Sequence, residues 1–152
     1  MGMTTTYSGV AEDLSRELGR RLISDDEMLK LLTQIGELAL TRAKSPTGKN
    51  WKDQTGNARS SLGYVIVHNG DIVTLSGFKI VKTGAEGSNT GRDYATALAY
   101  RLGKQDCWQI ILVMGMSYSV DLYNKGYDVC ISAEREVKRL MSNLKRNLNK
   151  RK

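Results

Sequence analysis

The stretch "NWKDQTGNARSSLGYVIVHNGDIV", residues 50–73, decides the fold. Thr55 or Asp53 can cap a short helix over "TGNARSSL", and Gly63 ends it. "YVIVH" then alternates as a strand, with Val65 and Val67 on one face and Tyr64, Ile66 and His68 on the other. Asn69-Gly70 is the strongest short hairpin signal in the chain, and "DIVTLSGF" returns antiparallel. A structural job can be named for almost every residue here, yet none is equipped for chemistry.

Upstream, "SDDEMLKLLTQIGELALTRAK" is the clearest helix. Ser24 and Glu27 form a capping box, and Asp25 and Asp26 suit the positive end of the dipole. Met28, Leu31, Leu32, Ile35, Leu38 and Ala39 recur at helical spacing and are expected to face the core, and Pro46 cannot continue the helix. Before it, "SGVAEDLSRELGRRLI" places Val10, Leu14 and Leu18 on one helical face with Ser8 as cap, so the N-terminal region 8–44 reads as helical.

Downstream, "VKTGAEGSNTGRD" reads as a mobile surface loop spanning 82–93, with Lys82, Glu86, Asn89 and Arg92 as the side chains offered to a partner. A helix is predicted from a cap at Asp93 to a stop at Gly103. "CWQIILVMG" is a strand whose apolar run suits a central position, "SYSVDLYNKG" a short helix or turn, and "YDV" a fourth short strand. From about Ile131, the residues Val137, Leu140, Met141, Leu144 and Leu148 make an apolar stripe on an otherwise basic C-terminal helix, 131–152. These elements predict one α+β domain covering 1–152: a small antiparallel sheet with a hairpin, within a core region 50–130, packed against N-terminal helices and a long C-terminal helix.

Composition excludes several classes. The 152 residues, 40% hydrophobic and 26% charged, suit one folded domain. The longest apolar run, Ile110 to Met114, is strand-sized, so no membrane partner is expected. The first residues lack the basic-then-apolar order of a secretory signal; Gly2 with Thr6 matches a myristoylation pattern too permissive to carry weight. Cys107 and Cys130 sit in apolar surroundings and read as buried thiols rather than a disulfide. Of the net charge of +7, residues 134–152 hold +6, from eight basic and two acidic side chains. The basic tail, with Lys145, Arg146, Lys150, Arg151 and Lys152, can contact a DNA backbone or an acidic protein surface, or simply complement its own helix dipole.

Catalytic and cofactor signatures are wanting. His68 is the only histidine and cannot anchor a usual zinc site or, without a G-x-S-x-G elbow, a serine triad. Gly87 to Gly91 encloses three residues and is followed by Arg92-Asp93, unlike a Walker loop. Glu136-Val137-Lys138 resembles a nuclease E-x-K but lies on an amphipathic helix without a neighbouring strand carboxylate. No cofactor or metal is expected, and no enzymatic activity.

The pattern W-x-D-x-TGN-x-R-x-S-x-GY-x-I, Trp51 to Ile66, followed by GM-x-Y-S-x-x-L-x-x-KGYDV, Gly115 to Val129, resembles the neck or tail-completion proteins of tailed bacteriophages. The family usually has Tyr-Ala where this chain has Tyr118-Ser119, and Glu where it has Tyr123. The resemblance implies a non-enzymatic virion protein at the head–tail junction, a cyclic oligomer joining portal or connector to tail terminator, with double-stranded DNA in its lumen. It marks Trp51, Asp53, Thr55, Gly56, Asn57, Arg59, Gly63, Tyr64, Gly115, Met116, Tyr118, Gly126 and Tyr127 as motif residues. Arg59 is placed to pair with a carboxylate such as Asp53, and Trp51, Leu62 and Tyr64 to pin the short helix to the sheet. Gly115 and Gly126 permit tight turns beside Tyr118 and Tyr127. The rival expectation is a small stand-alone DNA-binding protein that uses the basic tail.

Overall fold

Alternation along the first hairpin strand sorts its side chains into two cores. In β2 (Leu62–His68), Leu62, Tyr64 and Ile66 enter one buried cluster and Val65 and Val67 enter another. A strand buried on both faces needs cover on both, and helices supply it. The computed structural model describes residues 3–6, 24–44, 55–117, 119, 124–125 and 131–149. The predicted helix from Ser8, the strand at "YDV", and motif residues Trp51, Asp53, Tyr118, Gly126 and Tyr127 lie outside the described residues, as do Lys150, Arg151 and Lys152.

β2 turns at Asn69-Gly70 into β3 (Asp71–Gly77), with His68 opposite Asp71. Both turn residues have positive φ, 54° and 82°, as a two-residue type I′ turn demands. A bulge interrupts the register between Ile66 and Val67, leaving Val73 as the extra residue. The strand predicted as central, β4 (Trp108–Met114), pairs antiparallel with β2 and is buried along its whole length. Its other neighbour is β1 (Met3–Thr6), a strand the sequence reading did not anticipate. The order is β1-β4-β2-β3, antiparallel throughout.

One face of the sheet packs on α1 (Asp25–Lys44) and on a C-terminal helix, here α4 (Ile131–Asn149). Ser24 Oγ accepts from Glu27 N at 3.3 Å, the expected half of a capping box. The expected core face of α1 needs one correction. Leu38 is 50% exposed, and Gly36, Leu40 and Ala43 are buried in its stead. Gly36 explains the rotation: a Cβ there would lie 2.6 Å from the Tyr64 ring, so the bare backbone lets the helix seat on Tyr64 and turns position 38 outward.

The larger correction concerns 82–93. The segment is not a loop; α2 (Asn57–Ser60) is followed after the hairpin by α3, which runs from Ala85 to Leu102 and covers the second face. Asp93 lies mid-helix and caps nothing, whereas Gly103 does follow the last turn. Glycines that cost a helix about 1 kcal/mol each in isolation are kept by packing, because Gly87 and Gly91 are buried against neighbouring backbone.

Candidate functional site

The T-G-N residues build a joint between α2 and α3. Thr55 Oγ1 accepts from Asn57 N at 3.2 Å, and Thr55 O accepts from both Thr83 N (3.0 Å) and Thr83 Oγ1 (3.1 Å). Gly56 has φ 83°, a conformation costly for any residue with a Cβ, and a Cβ would also collide with Val81 O. That turn presents Gly56 O to Ser60 N at 2.8 Å and starts the helix. Ser60 Oγ then accepts from Val81 N at 2.8 Å.

Asn57 has the most specific task. The N-cap position of α3 is Gly84, which offers no side-chain cap. Asn57 Oδ1 accepts instead from Gly87 N, in the first turn of α3, at 3.1 Å. One helix thus supplies the other's cap from 30 residues away, satisfying a donor that would otherwise be orphaned.

Both sequence motifs and the glycine-rich segment meet just beyond this point. Gly115 N donates to Ser61 O at 3.1 Å, and a Cβ on Gly115 would stand 2.5 Å from Gly91 Cα. A Cβ on Gly91 would stand 2.7 Å from Ser61 O and from Phe78 Cδ1. Phe78 is buried, its carbonyl takes the Ser88 hydroxyl at 2.5 Å, and the Arg92 guanidinium lies 5.8 Å over its ring. The sequence reading missed Gly84, Gly87, Ser88 and Gly91 as joint residues. The signal was present: Gly84, Ser88, Gly91, Ala95 and Ala99 are small residues at helical spacing, the mark of a helix in close contact along one side.

The other named positions distribute as follows. Gly63 and Tyr64 are in β2 and buried; Arg59 and Met116 are half-buried, and the proposed Arg59–Asp53 pairing lies outside the described residues. Lys82 sits in the turn before α3, while Glu86, Asn89 and Arg92 lie on the exposed side of the helix rather than on a loop. Cys107 is a buried thiol, not disulfide-bonded. Ser119 is buried, and among the described residues its hydroxyl has no hydrogen-bond partner.

A second polar cluster ties α1 to the hairpin. Glu37 Oε1 accepts from the Tyr64 hydroxyl at 2.8 Å and from Ser76 Oγ at 3.0 Å. Burial first, with the neighbouring carboxylate adding to it, pushes the Tyr64 phenol up to about 12. Burial also lowers the Lys44 amine, helped by the positive charge of Lys79 and opposed by Glu37.

The C-terminal helix packs beside α1. Leu38, Thr41, Arg42 and Glu136 line one shallow groove, which sets the C-terminal end of α1 beside the first turns of α4. The two helices pack along their length, so they run antiparallel. The acidic first turn of α1 (Asp25, Asp26, Glu27) therefore lies toward the end of α4 that carries Arg146 and the backbone of Lys145. Glu136 and Lys138, the E-x-K pair, are engaged on the helix surface: Arg139 holds Glu136 with two bonds (2.6 and 3.2 Å), and Lys138 lies 3.0 Å from Glu134. The Arg139 bonds hold the Glu136 carboxyl below its usual range.

His68 stacks on Trp108 with ring centroids 4.0 Å apart and planes 7° from parallel. Among the described residues no group of three or more His, Cys, Asp or Glu could hold a metal ion, and no helix is long and apolar enough to cross a membrane. Comparison with protein-family profiles, with curated proteins and with solved structures returned no significant match.

Proposed function

We propose that this chain is a non-enzymatic structural subunit of a tailed-bacteriophage head–tail junction, acting as one member of a cyclic ring between portal or connector and tail terminator. One observation carries the reading. The two motifs behind the resemblance are far apart in sequence, yet Ser61 of the first and Gly115 of the second meet at the Gly91 backbone. Residues that recur in a pattern because they fix shape belong in such a joint, and a ring subunit needs one fixed shape to present two faces to its neighbours. Double-stranded DNA would pass through the lumen, and the protein would reside in the virion.

The test is particle mass in solution, by light scattering on the purified chain with and without purified neck components. A discrete ring, alone or on mixing, is the expected result. A chain that stays monomeric in both conditions removes the reading and turns attention to the basic tail. The rival, a stand-alone DNA-binding protein, predicts duplex affinity as an isolated monomer or dimer with a log–log salt slope of about 0.9 per phosphate contacted.

A further inference from the structure

The sheet has two edges of opposite direction. Four strands alternate in the order β1-β4-β2-β3, so β1 and β3 run antiparallel to each other at the two sides. A copy of the chain related by rotation alone, without inversion, can therefore set its β1 antiparallel beside β3. An odd-stranded alternating sheet could not do this. We infer that β3 of one subunit pairs with β1 of the next, continuing the sheet around the ring; this rests on the ring reading above.

The backbone pattern says which groups are available. Phe78 N bonds Leu62 O, and Gly115 N bonds Ser61 O. Hydrogen-bonded pairs alternate along an antiparallel ladder. Positions 62, 64 and 66 of β2 thus bond toward β3, and 63, 65 and 67 toward β4. The same alternation directs 112 and 114 of β4 to Thr5 and Met3. Leu75 and Gly77 of β3, and Thr4 and Thr6 of β1, direct their N–H and C=O groups away from the other described strands.

Among the described residues these edges lack the usual guards. Native edges are protected by lysine, proline, inward charge or bulges. β1 is Met-Thr-Thr-Thr, without charge. β3 has its bulge at Val73 and its one charge, Asp71, beyond it at the turn, leaving the four residues 74–77 neutral and regular. Within that segment Leu75, Ser76 and Gly77 can stand opposite Thr6, Thr5 and Thr4. Setting Leu75 opposite Thr6 and Gly77 opposite Thr4 uses every outward group of that segment. It also extends the row Thr5–Leu112–Tyr64–Ser76, already in register across the sheet, by the neighbour's Thr5.

Ser76 and the neighbour's Thr5 then form a pair without mutual backbone bonds, with Cα atoms about 4.5 Å apart, within reach of a disulfide. Inside one subunit the same two positions are three strand spacings apart, roughly 14 Å, too far to bridge. The experiment is oxidation of the full-length Thr5→Cys/Ser76→Cys double variant, run on non-reducing gels beside each single variant, with particle mass measured in parallel. A covalent ladder ending at the ring's subunit number, seen only in the double variant, is expected. Thr4→Pro, which removes an outward donor and spares the β4 ladder, should leave the chain folded by circular dichroism and cut ring formation at least tenfold. A ring that forms without the ladder, or that survives Thr4→Pro, overturns the edge pairing and leaves the ring standing. A monomer under every condition overturns both.

Discussion

Replacing Gly87 by alanine tests the joint and the helical reading of 82–93 together. In an ordinary helix interior the change stabilises by about 0.8–1.0 kcal/mol, because glycine surrenders more backbone entropy. Here the new Cβ would penetrate the Asn57 carbonyl and crowd the Asn57 Cα at 2.6 Å. Both obstacles are backbone, so no side chain can swing away. α3 must retreat from α2, which costs about 1–3 kcal/mol for overpacking. It also stretches the bond from Gly87 N to Asn57 Oδ1, now 3.1 Å, worth about 0.5–1.5 kcal/mol. The balance is a loss of about 2 kcal/mol, or roughly 4–8 °C in Tm for a domain of this size. Asn89→Ala, two residues on and exposed, meets no such wall and should raise stability by about 0.5 kcal/mol. Thermal melts by circular dichroism decide the matter. Two substitutions of the same sign and size would show that α3 does not approach α2 closely, and equal indifference would restore a loop.

Tyr64→Phe should cost about 1 kcal/mol through the lost bond to Glu37, measured by urea denaturation. The folded phenol holds its proton up to about 12 against an ordinary value of 10.0, so its contribution is complete below pH 10 and lost as pH rises toward 12. That alkaline decline should vanish in the variant. Lys79→Gln should raise the Lys44 pKa, and Glu37→Gln should lower it further, both followed by NMR of the lysine side chain. An unmoved Lys44 in Lys79→Gln would place the two amines too far apart to interact.

The hairpin was legible because its signals are local: Asn69 and Gly70 tolerate positive φ, and Val65 and Val67 alternate with Tyr64 and Ile66 over adjacent residues. The start of α1 was legible for the same reason, since Ser24 and Glu27 are three residues apart. What escaped depends on distant partners. Gly84, Gly87 and Gly91 announce a loop by local propensity; the close backbone of Asn57, Ser61 and Gly115 seats Gly87 and Gly91 within a helix, and Gly84 stands at its N-cap against Ser60 and Gly56. β1 escaped because four residues carry no periodicity, and its existence rests on pairing with positions 111–114. Leu38 was placed in the core because helical spacing fixes a stripe to within one position, whereas the bare Gly36 under Tyr64 fixes the rotation. The motif residues Thr55, Gly56 and Asn57 were recognised as shape-making, but the cap that Asn57 lends to α3 is invisible without the fold.

The joint and the sheet edge are mechanically one unit. β3 leaves the sheet at Gly77, whose φ is 94°, and enters Phe78, whose N–H closes the ladder on Leu62 O. Phe78 is held in turn by Ser88 below its carbonyl and by Gly91 against its ring, both from the part of α3 that Asn57 caps. Movement of α3 away from α2 therefore reaches the outward groups of Gly77 directly through Phe78, and those of Leu75 through Ser76 beyond it. In this arrangement the T-G-N motif sets where the edge lies as well as how stable the subunit is. Gly87→Ala added to the Thr5→Cys/Ser76→Cys variant, at a temperature well below its melting point, should accordingly slow formation of the disulfide relative to the double variant alone. Unchanged cross-linking in a destabilised chain would separate the two roles and leave the joint a matter of stability alone.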